Sequence, residues 1–205
     1  ENPYVDVAAA PRMVGNGAFR AAGLAAQRRA LVLLENRNKL LPLRGAKRVY
    51  LHNVAADVAT RAGLTVVTDP AQADVAIMRL TAPFEPLHPQ YVFGQFMHEG
   101  SLAFKDGDPD YEAFKRVSAV VPTIVTVYLD RPAILTPIKE RAPAIIVNFG
   151  ISDAALLDVV TGRVGPEGKL PFELPSSMEA VAAQQPDVPR DSRSPLYKFG
   201  YGLRY

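Results

Sequence analysis

Five carboxylates fall in one aperiodic stretch of this 205-residue chain: Glu85, Glu99, Asp106, Asp108 and Asp110, all between residues 81 and 110. Carboxyl groups do acid–base work when their surroundings bring the pKa towards the working pH. Glu85 lies between Phe84 and Pro86, an apolar setting that favours the neutral form and raises the pKa towards that of a general acid. Glu99 follows His98 in a stretch flanked by Phe96 and Phe104, rings of the kind that stack on a sugar or another flat ligand. The competing reading for each is a solvated loop charge. The three aspartates of "KDGDPD" read as turn residues and a helix N-cap. Outside this stretch, Asp130-Arg131 follows a strand-like run, where the pair reads as a salt bridge positioning the strand end. Asn148 closes another such run, either as a satisfied capping residue or as a hydrogen bond to a ligand.

Other chemistries are excluded by composition. The chain has no cysteine, so disulfides, thiolate metal sites and cysteine nucleophiles are absent, while the compartment stays open. His52, His88 and His98 are not at i, i+4 spacing, and no metal is expected. No glycine-rich phosphate loop follows a strand, and no GxSxG elbow occurs, so no cofactor is expected either. With 23 basic and 21 acidic residues, and no run of five or six like charges, nothing points to nucleic acid. No apolar stretch reaches the roughly 18 residues of a membrane span.

The elements that must hold the loop can be read from the pattern. Residues 16–36 carry Phe19, Ala22, Ala26, Ala30, Leu33 and Leu34 at helical spacing, with Asn16 as N-cap. "RVYLHNV" and "LTVVTD" read as strands around a short helix stopped by Gly63. "ADVAIMRL" is the near-continuous apolar run of a strand buried on both faces. The thirty residues that follow are long for a loop and rich in aromatics, which marks an ordered functional segment. Then come a helix at "YEAFKRVSAV", a strand at "PTIVTVYLD" and a helix at "PAILTPIKER" with proline at its start. A strand at "PAIIVNFG" follows, and then a helix from Ser152 to the stop at Gly162. "KLPFELP" reads as a final strand. Strands alternating with helices give a parallel sheet covered on both faces, with ligands at the strands' carboxyl ends. The long loop leaves that edge.

Four stretches together resemble one family. "RRALVLLENRNKLLPL", "PTIVTVYLDRPAIL", "DVVTGRVGPEGKLPFELP" and "PLYKFGYGLRY" occur in order across residues 28–205 and are similar to the C-terminal domain of family 3 glycoside hydrolases. The last two stretches are the most specific. The resemblance implies an α/β three-layer sandwich with a mostly parallel six-stranded sheet and helices on both faces. It implies a linker at 1–15, the sandwich at 16–175 with its functional loop at 81–110, and an irregular tail at 176–205. In the turn of "GPEGKLP" it places Gly165 and Gly168, with Lys169 as an edge charge and residues 170–174 as a sheet strand. It further implies a partner, an (α/β)8 barrel that carries the nucleophile. It also implies a carbohydrate substrate, held by the two together and cleaved by retaining hydrolysis. On this reading Glu85 is the first choice for acid/base and Glu99 the alternative, with His98, Phe84 and Phe96 as substrate contacts. Two departures from common members stand out: "TAPFE" replaces a Gly-Glu pair, and "GISDAA" replaces a Gly-x-Glu-x-Gly turn. Without the barrel the chain is expected to be inactive and to expose an apolar face able to form a homodimer. The alternative is a non-catalytic carbohydrate-binding or assembly module.

Overall fold

The computed structural model describes residues 4–45 and 47–205; residues 1–3 of the expected linker lie outside it. Six strands form one sheet: β1 (Val32–Asn36), β2 (Arg48–His52), β3 (Thr65–Val67), β4 (Val75–Thr81), β5 (Thr123–Tyr128) and β6 (Ala144–Asn148). Their order is β1-β6-β5-β4-β2-β3. All pairs are parallel except β1 with β6. The helices are α1 (Ala10–Met13), α2 (Gly17–Ala30), α3 (Ala56–Arg61), α4 (Pro109–Ser118), α5 (Thr136–Arg141), α6 (Asp153–Val160) and α7 (Met178–Ala182).

The two faces of the sheet carry separate cores, as a period of two along each strand requires. Met78, Val125, Val127 and Val147 pack on one side with Phe114 of α4 and Ile138 of α5. Ile77, Ile124 and Ile146 pack on the other with Ala59 of α3 and Leu156 and Val160 of α6. The expected three-layer sandwich is the fold, and the helix caps at Asn16, Asp108 and Ser152 form as the residue types require.

Three local readings are corrected. The helix from Asn16 ends at Ala30, and Leu33 and Leu34 belong to β1. Residues 31–34 are wholly buried, and such a short apolar run satisfies either period until both faces are covered. "KLPFELP" is not in the sheet. Pro171 and Pro175 have no N–H to give a ladder, and the segment pairs instead with the tail, through Leu170 N–H to the Tyr201 carbonyl and Leu174 N–H to the Tyr197 carbonyl, both at 2.9 Å. The strand count of six therefore holds with β1 as the sixth member. In "PAILTPIKER" the helix starts at Thr136, because the Ile134 N–H is taken by the Leu102 carbonyl at 3.0 Å and holds the chain extended there.

The expected apolar stripe of α2 also turns outward: no residue of this helix is fully buried, and Phe19 is 59% exposed. Polar contacts hold the helix to α6. Arg28 pairs with the buried Asp158, which Arg163 also reaches at 3.3 Å. Gln27 accepts from the Ser152 N–H and hydroxyl, at 2.9 and 2.8 Å.

Candidate functional site

The order of the sheet places a switch point between β2 and β4, the usual binding crevice of an open α/β fold. Here the protein fills it. Asp110, in the first turn of α4, bonds His52 Nε2 at 2.9 Å and the Asn53 amide at 3.2 Å. Arg79 and Asp153 pair beside it at 2.7 Å. Asp106 is spent on Lys115, and Asp108 caps α4 by accepting from the Tyr111 N–H. All three aspartates are structural. Asn148 is structural as well: 2% exposed, it donates to Thr126 Oγ1 at 2.9 Å and accepts from the Gly150 N–H.

The long loop instead folds over the carboxyl ends of β4 and β5 as a small hairpin of its own. Glu85 and Glu99 face each other across an antiparallel bridge, closed by the Glu85 N–H to the Glu99 carbonyl at 2.9 Å. The approach is close. At Gly100 (φ +68°) an added Cβ would sit 2.1 Å from Glu85 Oε2, so only glycine permits it. The turn of the hairpin winds through residues 88–96, with the Gly94 N–H bonded to the Tyr91 carbonyl at 2.9 Å.

The two glutamates sit differently. Glu85 Oε1 pairs with Lys105, and Glu85 Oε2 accepts from the Ser101 N–H at 3.0 Å. These bonds, the Lys105 one foremost, hold its carboxyl below the usual range. The expected upward shift is thus reversed: Phe84 and Pro86 precede and follow it in sequence, but a cation reaches it in space. Glu99 Oε2 pairs with His88 Nδ1 at 2.8 Å, and Oε1 has no hydrogen-bond partner among the described residues. His88 was visible only as one histidine of three. Its pairing crosses eleven residues of aperiodic chain, which no spacing rule reports.

His98 stacks flat on Phe84, with ring centroids 3.8 Å apart and planes 9° from parallel, and its Nδ1 pairs with Asp130. Phe84 thus spends one face on His98. Phe96 is 70% exposed, and no ring contact joins it to either of them among the described residues. Asp130 and Arg131 anchor the loop, the second by donating to the carbonyls of Glu99 and Gly100. The hollow beside Glu85, lined by Pro83, Phe84, Ser101, Lys105 and others, holds about 170 Å3. Pockets that enclose a small-molecule ligand run to about 300–1,000 Å3. A wider groove of about 940 Å3, bordered by Asn38, Pro42 and Tyr205, has no Asp or Glu in its lining. The carboxylates therefore stand on an open surface. Among the described residues no cluster of three or more His, Asp or Glu is arranged to hold a metal ion, and no helix is long and apolar enough to cross a membrane.

The family described as "Glycosyl hydrolase family 3 C-terminal domain" matches residues 64–205. The periplasmic beta-glucosidase/beta-xylosidase of Dickeya chrysanthemi is 51% identical over 203 residues, which is 99% of this chain and 31% of that protein. The probable beta-glucosidase C of Aspergillus oryzae is 45% identical over 208 residues, covering 100% of this chain and 32% of that protein. The chain thus spans about a third of the length of the curated relatives it matches. A beta-glucosidase structure from Erythrobacter marinus superposes on all of this chain, and on 37% of its own, with a TM-score of 0.79 at 19% identity. At that identity the likeness speaks for the fold alone.

Proposed function

Because this chain belongs to the C-terminal domain of the family 3 glycoside hydrolases, we propose that it serves a retaining β-glycosidase of the β-glucosidase/β-xylosidase kind. It supplies the acid/base loop to a pocket completed by a preceding (α/β)8 domain. The observation that carries this reading is the open hairpin at the carboxyl ends of β4 and β5. It presents two glutamates and several aromatic side chains, and the hollow beside Glu85, at about 170 Å3, is smaller than a pocket that encloses a small-molecule ligand.

In retaining hydrolysis the nucleophile attacks the anomeric carbon while the acid gives its proton to the departing oxygen. The same carboxylate then takes a proton from the water that releases the sugar. A group with this duty must be stable both protonated and ionised. Glu99 meets that need better than Glu85. An imidazole nitrogen donates or accepts according to its tautomer, so the contact of His88 with Glu99 survives either state. Lys105 can only donate and favours Glu85 as the anion. We therefore place Glu99 first as acid/base and keep Glu85 as the alternative. His98 presents its free ring edge to the substrate, Phe84 supports it, and Phe96 lines the approach.

The test is made on the full-length protein, with the preceding domain present. It should hydrolyse β-glycosides, and Glu99→Gln should lower kcat/KM for an alkyl β-glycoside, whose leaving group needs a proton, by about 10²–10⁴-fold, the usual contribution of general acid–base catalysis. With a 2,4-dinitrophenyl β-glycoside, whose first step needs no acid, azide should restore kcat by attacking the glycosyl-enzyme in place of the base-activated water and releasing the glycosyl azide. If the same loss and rescue follow Glu85→Gln and not Glu99→Gln, the order of the two is reversed. The second reading, a carbohydrate-binding module, is favoured by the exposed rings of Tyr91, Phe93 and Phe96. It predicts sugar binding by this chain alone in calorimetry.

A further inference from the structure

The dipeptide Asp130-Arg131 makes contacts out of proportion to its place two residues beyond β5. Its surroundings are fixed. Leu129 and Ala133 on either side are buried in the core, the Leu129 N–H bonds the Asn148 carbonyl at 2.8 Å, and the Ile134 N–H bonds the Leu102 carbonyl at 3.0 Å. From this platform three consecutive loop residues are held. Asp130 takes the His98 imidazole, with its own side chain only 18% exposed. Arg131 donates through Nη1 to the Glu99 carbonyl and through Nη2 to the Gly100 carbonyl, the latter at 2.9 Å. The Glu99 carbonyl also accepts from the Glu85 N–H. The backbone of Glu99 is pinned on both sides and at its own oxygen, while its carboxylate takes no part in the clamp.

We infer that Asp130 and Arg131 are positioning residues for the acid/base, a rigid clamp that fixes where the Glu99 carboxyl meets the departing oxygen. This rests on the assignment of Glu99 above. A planar guanidinium suits the task because its fork reaches two adjacent carbonyls at once, which a lysine ammonium does not reproduce. Catalytic groups need to be held within about 0.5 Å of the productive place by neighbours that are themselves locked.

A clamp acting through Glu99 makes a prediction that general loosening of the fold does not. In the full-length enzyme, Arg131→Met should lower kcat/KM about 10²-fold for an alkyl β-glucoside, the usual effect of misplacing a catalytic group by about 1 Å. The alkoxide leaving group of that substrate needs a proton. A 2,4-dinitrophenyl β-glucoside needs none, and its kcat/KM, which reports the first step alone, should stay close to wild type. Arg131→Lys should recover only part of the loss, and Asp130→Asn should show the same selectivity more weakly. Hydrogen exchange at residues 98–101 of the same full-length protein should rise in Arg131→Met. Unchanged exchange, or an equal loss on both substrates, overturns the clamp. If Glu99→Gln itself shows no leaving-group selectivity, the assignment of Glu99 fails and takes the clamp with it. If Glu99→Gln is selective and Arg131→Met is not, the assignment stands and the clamp alone is overturned.

Discussion

A carboxylate becomes an acid or a counter-ion through the third and fourth groups around it, and the paired glutamates of the hairpin show both outcomes. The carboxyl of Glu85 is held low chiefly by its hydrogen bond from Lys105, with help from the Ser101 N–H. A carboxyl depressed in this way adds stability above its ordinary pKa, and that stability is lost as pH falls through the depressed value. Lys105→Met should therefore raise the midpoint of Glu85 towards the ordinary glutamate value in a carbon-detected NMR titration. It should also make the loop less sensitive to acid, because there is less bonus to lose. A midpoint that does not move would show that Lys105 is not the group responsible. Both glutamates and His98 could be picked out in the chain as candidates. The Asp130-Arg131 pair reads there as a salt bridge at the strand end, whereas its side chains reach out to His98 and to the Glu99 and Gly100 carbonyls of the loop. The pairings were not legible. Glu85 is twenty residues from Lys105, and Glu99 is eleven from His88. Aperiodic chain offers no rule for which of several cations or imidazoles arrives.

Among the elements, the strands buried on both faces were the easiest to read, because continuous apolar runs such as "ADVAIMRL" leave few other options. The errors gathered where two periods fit the same residues. Residues 32–34 continue the pattern of α2 and yet belong to β1, and only the pairing with β6 decides between the two. The terminal signatures are legible in type and become intelligible only in three dimensions. Tyr197 gives its hydroxyl to Glu35 at 2.8 Å, Tyr201 to the Leu34 carbonyl at 3.3 Å, and Tyr205 to the Val159 carbonyl. Burial pushes the Tyr205 phenol up to about 12. The tail is thus bolted along β1 and α6. Gly168 lies under it, where an added Cβ would stand 2.4 Å from the Leu31 carbonyl oxygen and 2.8 Å from its carbon. Backbone cannot give way as a side chain does. Gly168→Ala should cost about 1–3 kcal/mol, the usual penalty of overpacking, seen as a lower denaturation midpoint with the denaturant slope unchanged. Full stability in that variant would mean that the tail can lift from β1 at no cost, against the three tyrosine bonds.

At the scale of the whole molecule, the chain has a complete core and an incomplete surface. Val5, Val7, Met13, Val14 and Phe19, before and within α2, stand in solvent, and α2 reaches the sandwich through Arg28 and Gln27 rather than through its own apolar face. Fully burying side chains of this size is worth about 1.5–3 kcal/mol each, so the five together offer about 7–15 kcal/mol at most. Association costs about 4–15 kcal/mol in lost freedom and ordering. The two ranges nearly cancel, so the isolated chain should self-associate weakly and in proportion to its concentration rather than form a tight dimer. Sedimentation velocity across a concentration series should show the average mass rising, and Phe19→Ser with Val14→Ser should suppress the rise. The full-length protein should not show it through this face, because the preceding domain would cover it. A clean monomer at the highest concentrations reached would mean that the exposed face of α2 is not a contact surface, and the union of the two domains would then have to rest on the hairpin and its aromatic side chains instead.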